Sequence, residues 1–224
     1  VSTPARRSAP ARHAGPGPWG EWALLLLSAA SGAADAFVFI CVGQVFAGVM
    51  TGNLVLLGAS AAGAGEQGVA LRVITALVAY AFGVGCGAWM NERLRWSLPV
   101  MLLVEVVLLA AAAALWALGL ITSDGNRLGL LVLIAVAMGV QGRIRATPTN
   151  YFTGTLTALV GRAALRSWER GDHWVAGRLI AVVAGAAVTA LTVRLWPDAA
   201  ALVAAVPAAG ALLIETVHRR ASGG

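Results

Sequence analysis

Six stretches of this chain, residues 22–43, 69–90, 98–121, 128–146, 174–195 and 198–216, are each apolar for about the length of a bilayer. A membrane helix needs about 20 such residues at 1.5 Å rise, so each stretch is expected to cross as a helix. Charged residues are only 12% of the sequence, about half the ~25% of soluble domains, which leaves too little polar surface for a cytosolic protein. The expected fold is therefore an all-α integral membrane protein.

The net charge of +6 and pI near 10.9 do not indicate nucleic acid. Every basic residue is an arginine, and nearly all lie at the ends of apolar runs, as topology-setting charges do. Trp19, Trp22, Trp89, Trp96, Trp168, Trp174 and Trp196 stand at the same run edges, where indole prefers the headgroup level. Residues 1–21 read as a disordered cytoplasmic arm and 217–224 as a cytoplasmic tail. Arg6 and Arg7 ahead of a leucine run imitate a signal peptide, but the run continues unbroken and reads as a retained first helix.

Two shorter apolar stretches, 45–62 and 150–161, carry related tags: Met50-Thr51-Gly52-Asn53-Leu54 and Phe152-Thr153-Gly154-Thr155-Leu156. Each follows a long run and precedes another that opens on an arginine, Arg72 or Arg178. This reads as a duplication within a single transmembrane domain, residues 22–216. Repeat 1 is 22–90 and repeat 2 is 128–195, with 98–121 as a linker helix and 198–216 as the last helix. If the tagged stretches do not cross, Arg6, Arg7, Arg12, Arg93, Arg95, Arg143, Arg145, Arg162, Arg166, Arg170, Arg219 and Arg220 share one side. Only Arg72, Arg127 and Arg194 then face the other, and eight crossings would split the arginines less sharply. Six spans with both termini inside fit the positive-inside rule better. The two units then run in opposite senses, an inverted repeat with two short interrupted or re-entrant segments, as in secondary transporters.

Asp35 lies about 13 residues into the first helix, ~20 Å from its inner edge, where an ionisable group is costly and marks a candidate site. Thr51 and Asn53 are its nearest expected polar neighbours. Thr51, Gly52 and Asn53, with Gln141, Thr153, Gly154 and Thr155, complete the candidate solute- or ion-binding set, since glycine permits a break and Thr or Asn can cap a new half-helix. Glu105 stands at a height that Arg143 and Arg145 can reach, so these three are expected to form a structural ion pair. Gly83, Gly85 and Gly87 have the spacing of a close helix contact. Cys41 and Cys86 read as small buried hydrophobes. The chain carries no nucleophile–base pair, no facing aspartates within the spans and no metal-ligand spacing, so neither enzyme activity, cofactor nor metal is expected.

The stretches from Gly32-Ala33-Ala34-Asp35-Ala36 to Asn53-Leu54, and from Met138-Gly139-Val140-Gln141 through Thr149 to Thr155-Leu156-Thr157, together resemble the two signatures of the YoaK-like bacterial membrane proteins, a family of unknown function. Where that family reads Gln-Asn, this chain reads Gln141-Gly142. The resemblance implies a small multi-spanning plasma-membrane protein, commonly of six helices, with no established activity. The expected function is transport-like passage of a small solute or ion, the alternative being a non-transporting membrane scaffold or regulatory partner. Expected partners are the bilayer, that solute and further copies of the chain.

Overall fold

The computed structural model describes residues 18–64, 66–144 and 152–222. Among the described residues, six helices are long and apolar enough to cross a membrane: α1 (Pro18–Phe37, continued by a wider π turn over Val38–Gly43), α3 (Val69–Glu92), α4 (Leu98–Ala117), α5 (Asp124–Ile144), α7 (Asp172–Leu195) and α8 (Leu202–Ser222). Between them lie two shorter helices, α2 (Met50–Ala61) and α6 (Phe152–Ala164). At 1.5 Å per residue each rises about 20 Å or less, too little to cross a hydrocarbon core of ~30 Å. The short tags therefore begin half-length helices.

Local chemistry sets the ends. Pro99 enters the first turn of α4 behind an extended Ser97, where a missing N–H costs nothing. The same helix stops four residues before the expected boundary because Gly119 takes a left-handed φ of 67°. The Gly119 and Leu120 amides then close on Trp116 and Leu115 carbonyls, a glycine-terminated cap that releases the chain. Helix α8 runs to Ser222, past the expected 216, and carries Arg219 and Arg220 in its last turn.

Side-chain contacts give the directions of the six long helices. Trp19 stacks on His218 and Leu26 reaches Gly210, so α1 and α8 are antiparallel. Trp22 meets Trp174 near the start of both helices, and Thr189 donates to the Ala33 carbonyl further along, so α1 and α7 are parallel. Gly83 sits on Val136 and Glu92 pairs with Arg143, which makes α3 and α5 parallel. Trp116 donates to the Pro197 carbonyl ahead of α8, while Val100 lies beside Leu213 and Thr216, so α4 and α8 are antiparallel. Gly43, at the end of the first span, packs on Arg72 at the start of α3. Helices α1, α4 and α7 thus run one way and α3, α5 and α8 the other. This is the alternation that six crossings require, with α2 and α6 returning to the side they left.

Helix α1 is the most enclosed, burying Ala23, Ala30, Ala33 and Ala34. Its small residues admit α7: a Cβ on Gly32 would collide with the Val182 carbonyl, and one on Gly185 with the Ala29 carbonyl. The α3–α5 pair repeats this relation, with Gly83 against the Val136 carbonyl and Gly139 against the Tyr80 carbonyl. In all four cases the glycine seats on the carbonyl three residues before the glycine of its partner. Such approach is open only to glycine and supplies the packing that hydrophobicity cannot drive within lipid. Of the Gly83-x-Gly85-x-Gly87 motif, Gly83 and Gly87 face α5, whereas Gly85 has nothing near it.

This difference supplies a test. Gly83→Leu should cost at least ~2 kcal/mol through overpacking against backbone. Gly85→Leu should change stability by no more than ~0.5 kcal/mol, as surface substitutions do. Thermal unfolding of both variants in detergent or nanodiscs checks the contrast.

Candidate functional site

After the π turn the chain does not continue along the axis of α1. Gly43 and Gln44 leave helical geometry, and Phe46 stacks back on Phe39 at 5.2 Å between centroids. By Gly48 the chain has come down beside Ser31 and Asp35, the level from which α2 starts. A non-helical segment in so apolar a bundle exposes N–H and C=O groups that must find partners. Two side chains provide them. Asp35 Oδ1 accepts from the Gly48 N–H at 2.7 Å, with the Ala47 and Val49 amides also turned toward the carboxylate. Asn53, fully buried, accepts from the Phe46 N–H at 2.9 Å and donates back to the Phe46 carbonyl at 2.7 Å.

Helix α2 then rises toward the end of the molecule where α1 finishes and α3 begins. Helix α6 runs toward the opposite end, where its Arg162 binds Asp172 at the start of α7 through Nε at 3.0 and 3.1 Å. The N-terminal ends of the two short helices face one cavity of about 340 Å³, lined by Gly48, Val49, Met50 and Thr51 from one and Phe152, Thr153 and Gly154 from the other. Tyr80 and Val182 close it, and both sit near the middle of 24-residue helices. These are also the residues whose carbonyls seat Gly139 and Gly32. The cavity thus lies at mid-height, between the two glycine-locked pairs. Each short helix directs the partial positive charge of its N-terminus toward it.

The expected site residues divide on this geometry. Thr51, Thr153 and Gly154 come together at the cavity. Gly52 does not line it, the direction a side chain would take there being filled by the Phe46 ring, and Thr155 is half-buried on α6. Asn53 is turned into the loop. Asp35 lies behind Gly48, held by backbone amides rather than by the expected Thr51 and Asn53 side chains. Gln141 lies between helices, donating from Nε2 to the Leu27 carbonyl of α1 at 2.9 Å.

The expected ion pair of Glu105 with Arg143 and Arg145 is corrected in part. Arg143 lies on the α3 side of α5 and binds Glu92 at 2.9 Å. Glu105 is fully enclosed on α4, with neither oxygen hydrogen-bonded among the described residues. Height along a helix can be read from sequence, but the two residues occupy different faces. Arg145 and Thr149 lie outside the described residues. Tyr80 was the lining residue with an available signal, as a lone phenol in the middle of an apolar run. Met50 and Phe152 open the two tags, whereas Val49 and Val182 carried no signal.

Asn53→Ala leaves both polar groups of the Phe46 peptide unpaired and should cost about 2 kcal/mol or more. Asp35→Leu should destabilise similarly, and Asp35→Asn, which retains an acceptor for Gly48, much less. Thr51→Val and Thr153→Val should stay within ~0.5 kcal/mol. Unfolding midpoints of the purified variants order these effects.

No curated protein and no solved structure matches the chain. Residues 23–214, from the second turn of α1 into the second half of α8, match the model of a family described as a protein of unknown function, DUF1275, and the chain belongs to that family.

Proposed function

We propose that this protein is a transporter-like membrane protein that passes a small polar solute or ion through the cavity between the two tags. The observation that carries the reading is the meeting of two half-length helices, more than 90 residues apart in sequence, with their N-terminal ends at one mid-height cavity. Its volume of about 340 Å³ suits a small ligand. The Thr51 and Thr153 hydroxyls and the N-terminal ends of α2 and α6 supply polarity where hydrocarbon would otherwise supply none.

The architecture belongs to the same proposal. Exchanging α1 with α5, α2 with α6, α3 with α7 and α4 with α8 maps the α1–α7 crossing onto α5–α3, and the α1–α8 packing onto α5–α4. The exchanged helices run in opposite directions, which supports an inverted repeat about an axis in the membrane plane. In this reading α4 and α8 belong to the repeats, rather than serving as a linker and an appended helix. The arginine distribution supports placing both termini and the 93–97 loop in the cytoplasm. The sequence signatures support a bacterial plasma-membrane setting and a YoaK-like affiliation. Asp35, which orders the segment leading into the cavity, is proposed to couple the state of that segment to a proton or cation.

Val49, Met50, Phe152 and Val182 make much of the wall apolar, and this favours a second reading, a scaffold whose polar groups only hold helices together. Solute uptake and efflux by purified protein in liposomes, screened under ion gradients, separates the two. A Cβ on Gly154 meets nothing, so Gly154→Trp can fill the cavity without a backbone collision. It should abolish flux in a folded protein, and Asp35→Asn should remove any ion coupling. Flux untouched by Gly154→Trp would refute the cavity as the path. No flux for any solute would favour the scaffold.

A further inference from the structure

A second concavity lies on the lipid-facing side of the bundle, between α4 and α8. It measures about 490 Å³ and is lined by Pro99, Val100 and Leu103 of α4 and by Ala209, Leu212, Leu213 and Thr216 of α8. Thr216 is its one polar side chain, and that hydroxyl is spent on the Leu213 carbonyl. The interior of the groove offers an occupant nothing but hydrocarbon contact.

The mouth of the groove is different. Pro99 is the second residue after the Arg93–Ser97 connection, and Thr216 lies one turn before Arg219 and Arg220 in the last turn of α8. Residues 209, 213, 216 and 220 recur at the spacing of one helix face, so Arg220 continues the α8 wall beyond the groove. Helical side chains lean toward the N-terminus, which carries Arg220 back over Thr216. Arg93, Arg95 and Arg220 are all exposed and form no ion pair among the described residues. The acids nearest in sequence are engaged elsewhere, Glu92 with Arg143 and Glu215 with Arg219. Trp96, exposed within the same connection, marks headgroup level.

We infer that the α4–α8 groove is a binding site for one anionic phospholipid, with an acyl chain along the groove and its phosphate and headgroup on Arg93, Arg95 and Arg220. Charge complementarity selects this occupant. A second copy of this chain would bring the same three uncompensated arginines to the contact, and a zwitterionic lipid would leave them without a net counter-charge. Basic pockets between membrane helices at the headgroup level hold anionic lipids in this manner.

The test uses the full chain in mixed nanodiscs of phosphatidylglycerol and phosphatidylcholine with identical acyl chains, reading retained lipid by native mass spectrometry. One phosphatidylglycerol per chain should be retained with a preference of about tenfold or more over phosphatidylcholine, from attraction at several arginines. Arg95→Gln with Arg220→Gln should erase the preference. Ala209→Trp, which fills the groove from an exposed position, should expel the lipid with the arginines intact. Arg166→Gln with Arg170→Gln, which removes charges elsewhere on the same end, should change nothing. Equal retention of the two lipids overturns the assignment. So does full retention in Ala209→Trp, or equal losses in the two arginine double variants. Monodisperse elution of each variant shows that the fold is intact.

Discussion

Hydrocarbon offers no hydrogen bonds, so a chain that leaves helical geometry inside a membrane bundle must carry its own partners for every amide it releases. Residues 44–49 do leave it, and two side chains answer for them. Asp35 takes the Gly48 N–H, and Asn53 pairs both ways with the Phe46 peptide. Through these bonds the loop can descend to mid-height and start α2 there. Without them α2 would have no fixed starting level, and the cavity it faces would have no first wall. Asp35 and Asn53 thus act on the cavity by placing its backbone, whereas Thr51 and Thr153 stand in it.

The second wall depends on how closely the long helices approach. Gly32 with Gly185, and Gly83 with Gly139, let α1–α7 and α3–α5 cross with glycine against carbonyl. The carbonyls at two of those crossings belong to Val182 and Tyr80, whose residues also line the cavity. Packing and site are therefore coupled. A bulky residue at any of these glycines would separate a helix pair and displace a wall of the cavity as well.

Much of this was legible in the sequence, for identifiable reasons. The six spans follow from run length, because hydropathy and the 1.5 Å rise together fix how much chain a bilayer demands. The two tags stood out as polar residues with glycine at matching places within short apolar stretches, and both begin half-length helices. What failed was azimuth. Glu105 and Arg143 have compatible heights, yet Arg143 faces α3 and takes Glu92, and no one-dimensional reading reports which face of α5 an arginine occupies. Gln141, three residues from the end of α5, and Asn53, in the first turn of α2, both bond backbone groups whose need the sequence does not show. Asp35 was identified as exceptional from depth alone, but its partner is an amide of a loop whose path only the fold defines.

The two tags, from separate halves of the chain, meet across one cavity. Cross-linking in native membranes can detect that meeting. With Cys41 and Cys86 replaced by alanine, Thr51→Cys and Thr153→Cys are introduced singly and together and treated with a short, membrane-permeant bifunctional maleimide. Intramolecular cross-linking is expected in the double variant, seen as a mass increase of one bridged reagent and as loss of both free thiols. Pairing Thr51→Cys with Leu165→Cys, just past the far end of α6, should give no bridge. Labelling of both thiols at positions 51 and 153 without bridging, or bridging as readily from 165, would show that the tags do not meet across the cavity.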